Sequence, residues 1–133
     1  MDEGNIQKYR IILGIDIVDE IIKRNKKKYR LNNVQFFHMD ITKDLLPTGD
    51  LILCRDCLVH FSLSDNFKAS QSRYLLTTTF TNLTFNQEKR TGSWRPLNLE
   101  IEPFNFPKPI LVINENCTEG EMNYLDKSLA LWD

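Results

Sequence analysis

The chemistry-bearing residues of this chain gather in one stretch, LILCRDCLVHFS, from Leu51 to Ser62. Cys54 and Cys57 form a CxxC pair, Arg55 and Asp56 stand between them, and His60 follows. Thiols at that spacing can hold zinc or work as a redox couple. A four-ligand zinc site, however, shows two paired clusters, and only Cys117 and His38 remain to build a second. Cys54 also closes an apolar run, so the cysteines read as packing residues. His60 could titrate near neutrality and serve a reaction beside Asp56, or be a satisfied structural histidine. Arg55 and Asp56 could be a structural ion pair or line a substrate mouth.

Two further acids sit at comparable places, Asp16 in LGIDIV and Asp40 in FFHMDI. A carboxylate at the end of a buried strand is costly unless something binds it. In nucleotide-binding α/β folds an acid after the second strand accepts hydrogen bonds from ribose hydroxyls. Asp16 suits that role, or caps local amides. Asp40 could accept from the exocyclic amine of an adenine, or belong to a turn with Ile41 and Thr42.

The elements that must position these side chains follow from apolar patterning. Ile11 to Val18 is β-branched and apolar on both parities, the pattern of a strand covered on both faces. Asp19 can cap a helix that carries Ile21 and Ile22 and ends around Asn32-Asn33. Val34 to Met39 reads as a second strand, and Pro47, Thr48 and Gly49 mark a turn before a third at Leu51 to Cys54. A helix is expected from Asp56 or Cys57 through Phe61, and a shorter one from Ser64 or Asp65 through Ala69. Arg73 to Phe80 reads as a strand from its β-branched and aromatic content. Residues 81 to 109 hold a glycine and four prolines and read as a long loop, a length that is usually functional. Ile110 to Asn114 and Ser128 to Trp132 pair as antiparallel strands. The order implies an α/β fold with a mainly parallel sheet and a C-terminal antiparallel strand pair.

Bulk properties narrow the classes. With 133 residues the chain reads as a single domain. A domain of this size buries about two thirds of its unfolded surface. The net charge is -1, with 26% charged residues, which argues against a nucleic-acid surface spread over the whole protein. KRNKKKYR, ending at Arg30, is the nucleic-acid candidate, with Tyr29 available for stacking, but a solvated helix face explains it just as well and no second basic segment continues a track. Three cysteines without a signal peptide point to a reducing, cytoplasmic setting. No apolar run approaches the roughly 20 residues of a membrane span.

Taken in order, these pieces resemble the bacterial-type class I S-adenosylmethionine-dependent methyltransferases over about Tyr9 to Trp132. GIDIV resembles that family's second strand and ribose-binding acid. FFHMDITKDLLPTGDLILCRDCLVHFS resembles its third and fourth strands, and YLLTTTF, TGSWRPLNL, PFNFPKP and DKSLALW resemble the C-terminal half of one subfamily. The resemblance implies an incomplete Rossmann-like methyltransferase fold. It implies Asp16 and Ile17 at the ribose, Asp40 and Ile41 at the adenine, and Cys54 and Arg55 at the lip of the cofactor site. Asp56 and His60 would face the methyl acceptor as the catalytic pair, with Trp94, Arg95, Phe104 and Phe106 closing over it. The cofactor would be S-adenosylmethionine, no metal would be needed, and the methyl acceptor, a small molecule or another species, is left open.

The chain departs from that family at its start. Members open with a strand ending in a glycine-rich turn, and that strand lies between the second and the fourth. Only twelve residues precede Leu13, too few for the strand, its turn and a helix. Gly4 and Gly14 are isolated, and Glu102 and Ala130 stand where proline and glycine are usual. The expectation is therefore a methyltransferase-like protein lacking its cofactor-binding unit, as a shortened product or a piece of a longer chain. Two other readings stand beside it. One is a non-enzymatic remnant or interaction module that self-associates through unpaired strand edges. The other is a nicotinamide-dependent oxidoreductase, which would also use a ribose-binding acid but needs the same glycine turn.

Overall fold

The computed structural model describes residues 10–61 and 72–133. Their backbone contacts divide into two compact units, Met1–Leu45 and Leu46–Asp133. The short helix expected from Ser64 or Asp65 to Ala69 lies outside the described residues.

The first unit is a β-α-β arrangement. Strand β1 (Ile12–Asp16) runs parallel to β2 (Val34–His38), with Ile12 opposite Val34 and Asp16 opposite His38. Gly14 lies opposite Phe36, and a Cβ there would come within 2.5 Å of the Phe36 ring. The missing side chain is what lets the ring lie across β1. Helix α1 (Asp19–Lys28) carries acids in its first turn and lysines in its last, in line with its dipole. Val18, not Asp19, is the N-cap, and Asp19 instead pairs with Lys23 one turn on. The helix stops at Lys28, before the expected Asn32-Asn33. Tyr29 packs on Phe36 at 6.1 Å between ring centroids, and Ile22 is the buried residue of the helix.

The second unit holds a four-stranded sheet. Its strands are β3 (Leu51–Cys54), β4 (Tyr74–Phe80), β5 (Leu111–Asn114) and β6 (Lys127–Trp132), in spatial order β3-β4-β6-β5. β4 is parallel to β3 and antiparallel to β6, and β5 and β6 form the expected antiparallel pair. Thr77, Thr78, Thr79 and Phe80 of β4 are buried, as are Ser128, Ala130 and Trp132 of β6. Leu99, Ala130 and Trp132 form the core, with Leu58, Phe104 and Phe106 packed against it.

Residues 81–109 form no helix or strand, and side-chain amides do the work of a ladder. Asn86 Nδ2 donates to the carbonyls of Asn98 and Glu102 at 2.8 and 2.7 Å, and Asn86 Oδ1 accepts the Asn98 N–H at 2.8 Å. Asn98 Nδ2 donates to the Leu83 carbonyl at 2.9 Å. These bonds seat Leu97 and Leu99 in the interior.

Three expectations change. The strands form two sheets rather than one mainly parallel sheet, and helix content is low. Where a helix is expected after Leu51–Cys54, the described residues hold a single 3₁₀ turn, Leu58–His60, preceded by Asp56 in the left-handed conformation (φ 51). Finally, β1 and β3 are not covered on both faces: Ile12 and Leu53 are 57% and 62% exposed. Each pairs with one strand only. The structure is thus mixed α/β, mostly strand among the described residues, and no helix in them is long and apolar enough to cross a membrane.

Candidate functional site

In the first unit both acids stand at strand ends, as their sequence context implies. Asp16 closes β1, where its Oδ1 accepts the Val18 N–H at 2.8 Å and its carbonyl accepts the Met39 N–H. Ile17 is exposed, and its carbonyl is 2.8 Å from His38 Nε2. Asp40, past the end of β2, is bound within its own turn. Its Oδ1 accepts both the N–H and the hydroxyl of Thr42, at 3.0 and 2.7 Å, and Lys43 Nζ stands 3.3 Å from Oδ2. The Thr42 hydroxyl, its N–H and the Lys43 charge hold the Asp40 carboxyl below the usual range. Asp40 N–H donates to Asp44 Oδ2, and Ile41 is half-buried in the same turn. The local turn weighed from sequence for Asp40 is therefore present.

In the second unit the CRDC segment leaves the end of β3 as a tight turn. Thr77 Oγ1 donates to the Cys54 carbonyl at 2.6 Å, and the Asp56 N–H donates to Thr78 Oγ1 at 2.8 Å. A left-handed aspartate persists when its surroundings over-determine it, and here they do. Lys127 Nζ, at the head of β6, lies 2.8 and 3.0 Å from the two Asp56 carboxylate oxygens. Arg55 Nε donates to Glu115 Oε1 at 2.7 Å, Arg55 Nη1 stands 3.6 Å from Asp56, and Lys127 stands 3.8 Å from Glu115. Two acids and two bases thus close a neutral network between the β3 turn and the β5-β6 hairpin. Desolvation pulls the Lys127 ammonium down, but its hydrogen bond to Asp56 and the charges of Asp56 and Glu115 outweigh this and raise it above the ordinary lysine value. The Glu115 hydrogen bond and charge likewise raise Arg55.

This geometry gives Asp56 a cationic partner and makes the Arg55–Asp56 ion pair real. His60 is exposed at the end of the 3₁₀ turn, and its carbonyl accepts the Gly92 N–H at 2.6 Å. The residues expected to close over an acceptor are built into the fold instead. Arg95 is 1% exposed and donates to the carbonyls of Gln87 and Val59, at 3.2 and 3.3 Å. Phe104 and Phe106 pack on the core, with the Phe106 ring 5.4 Å from that of Trp132, whose Nε1 donates to the Pro107 carbonyl at 2.9 Å. Apolar side chains between prolines anchor the loop because the sheet offers an apolar surface to cover. Trp94 is partly exposed but stacks edge-on with Phe80 and Tyr124. A recess of about 590 Å³ opens beyond β4, lined by Thr81, Asn82, Asn98, Glu100, Phe106 and Lys108, and it includes neither Asp56 nor His60.

Sequence reasoning missed Lys127, Glu115 and the threonine hydroxyls. Three adjacent threonines inside a strand were a usable signal, since buried hydroxyls take hydrogen-bond partners. The ion network was not legible, because 71 positions separate Asp56 from Lys127. Among the described residues no group of histidines, cysteines and acids could hold a metal ion. Compared with protein-family models, curated proteins and solved structures, the chain matches none.

Proposed function

We propose that the chain is a class I S-adenosylmethionine-dependent methyltransferase-like domain whose cofactor-binding unit is not encoded in these 133 residues, and that it does not turn over by itself. One observation carries the reading: the place where the sheets end. The resemblance makes β1, β2 and β3 the family's second, third and fourth strands, and in that family the first strand lies between the second and the fourth. Here β1 and β3 are each the terminal strand of a sheet, each has a parallel neighbour on its other side, and each is apolar yet exposed. Each sheet, taken by itself, thus ends at a strand that the resemblance pairs with the family's first strand.

The residues present do not make a full site for S-adenosylmethionine. A glycine-rich turn, whose bare amides would admit the methionine part, is missing from the sequence. Asp40 is engaged by Thr42 and Lys43, and one Asp16 oxygen is taken by Val18. No methyl-transfer step is therefore assigned to this chain. Calorimetry with S-adenosylhomocysteine should give binding no tighter than about millimolar, roughly -4 kcal/mol. Micromolar affinity would overturn the incompleteness, and micromolar affinity for NAD in its place would favour the oxidoreductase reading.

The same open edges favour a second reading, an interaction module that completes its sheets with another chain, because unpaired strand edges template pairing. Light scattering after size exclusion distinguishes them. A monomer at every concentration counts against edge pairing between copies.

A further inference from the structure

The CxxC pair plays no part in the reading above, and its surroundings differ from those of packing cysteines. Cys54 ends β3, residues 55 and 56 form a turn, and Cys57 follows it. The two cysteines hold the first and fourth positions of that turn, where Cα atoms lie within about 7 Å of each other. Disulfides span about 4.4–6.8 Å between Cα atoms, so no backbone refolding is needed to join them. Neither cysteine is fully buried. Cys57 is also the largest influence on the Cys54 thiol. Thr77 Oγ1 holds the Cys54 carbonyl and Thr78 Oγ1 the Asp56 N–H, so the backbone of the turn is fixed from the β4 side.

We propose that Cys54 and Cys57 are a reversible dithiol that closes to a disulfide within the turn when the protein meets a peroxide. The interaction with Cys57, followed by burial, raises the Cys54 thiol. Cys57 stands outside the strand at the far end of the turn and is the first nucleophile in this scheme. The Cys57 thiolate attacks a peroxide oxygen and the O–O bond breaks. Hydroxide leaves and takes up a proton as water, and Cys57 becomes a sulfenic acid. Cys54 sulfur, giving up its proton, then attacks the Cys57 sulfur. The S–S bond forms, the S–O bond breaks, and a second water departs. Two electrons pass from the thiols to the peroxide. The product ties the end of β3 to the 3₁₀ turn and clamps the two residues, Arg55 and Asp56, that hold the hairpin network. A disulfide reductant restores the dithiol.

The test uses the full chain carrying Cys117→Ser, treated with hydrogen peroxide. Arg55 lies between the two cysteines, so trypsin cuts the turn and a disulfide leaves two peptides linked through Cys54 and Cys57. The expected result is loss of both thiols, the linked pair by mass spectrometry, and its disappearance with dithiothreitol. Cys54→Ser should leave a Cys57 sulfenic acid that dimedone traps, and Cys57→Ser should slow thiol loss at least about tenfold. Oxidation of either cysteine to sulfinic acid without a linked pair would overturn the proposal, as would equal oxidation rates for all variants. Circular dichroism of each variant, matching the parent, keeps a folding defect from being read as either outcome.

Discussion

Strands β3 and β4 lie side by side, run in the same direction and are both apolar or β-branched, yet they have opposite fates. β4 has β3 on one side and β6 on the other, and its last four residues are buried. β3 has one neighbour, and Leu51 and Leu53 are 50% and 62% exposed. β1 in the first unit behaves as β3 does, with Ile12 and Leu13 exposed. Hydrophobicity therefore does not by itself decide burial: the buried residues of β4 are three threonines and Phe80, and Thr79 and Phe80 are hydrogen-bonded to the loop at Leu97 and Leu99. The contrast also locates the chain's chemistry: the buried strand supplies hydroxyls that hold the turn, while the open strand carries the turn itself.

The contrast is most sharply tested by truncating one side chain from each environment. Trp132→Ala removes a core indole and its hydrogen bond to Pro107, and should cost about 3–5 kcal/mol in urea denaturation. Leu53→Ala should stay within about 0.5 kcal/mol, as surface substitutions do. A cost above about 2 kcal/mol at Leu53 would mean that the β3 edge is covered in solution.

Next in size is the ion network that joins the β3 turn to the hairpin. Lys127→Met should cost about 1–3 kcal/mol, the range for hydrogen bonds to charged groups. A double-mutant cycle with Asp56→Ala should show coupling between the two. The pH dependence has a fixed sign. Lys127 is raised on folding above 10.5, so its contribution is full below that value and fades as pH climbs through the folded value. The difference between parent and variant should thus be flat at neutrality and shrink only in strong alkali. A difference that shrank between pH 6 and 8 would assign the effect to another group.

A smaller effect than that of Lys127→Met is expected of Thr78→Val, which keeps the shape of β4 but removes the acceptor of the Asp56 N–H. It should cost about 1 kcal/mol. Proton exchange of the Asp56 amide should speed up while amides in the middle of β4 stay protected, and unchanged exchange at Asp56 would show that the hydroxyl is not what holds the turn.

The sequence by itself determined the local elements. β-branched runs marked Ile12–Asp16, Leu51–Cys54 and Tyr74–Phe80 to within a residue or two, because alternation and flanking breakers are local signals. It also placed Asp16 and Asp56 at strand ends and paired Leu111–Asn114 with Lys127–Trp132. Only the tertiary structure decided which strands have two neighbours, that the strands divide between two sheets, and that β6 lies between β4 and β5. It alone decided that Phe104, Phe106 and Arg95 are anchors and not a lid, since aromatic and cationic loop residues suit either role until a core is there to receive them. Where a helix is expected after Cys54, the described residues hold a left-handed Asp56 and then a 3₁₀ turn. Asp56 is held in the left-handed region by a threonine on the next strand and a lysine on the last one, and no local pattern records either.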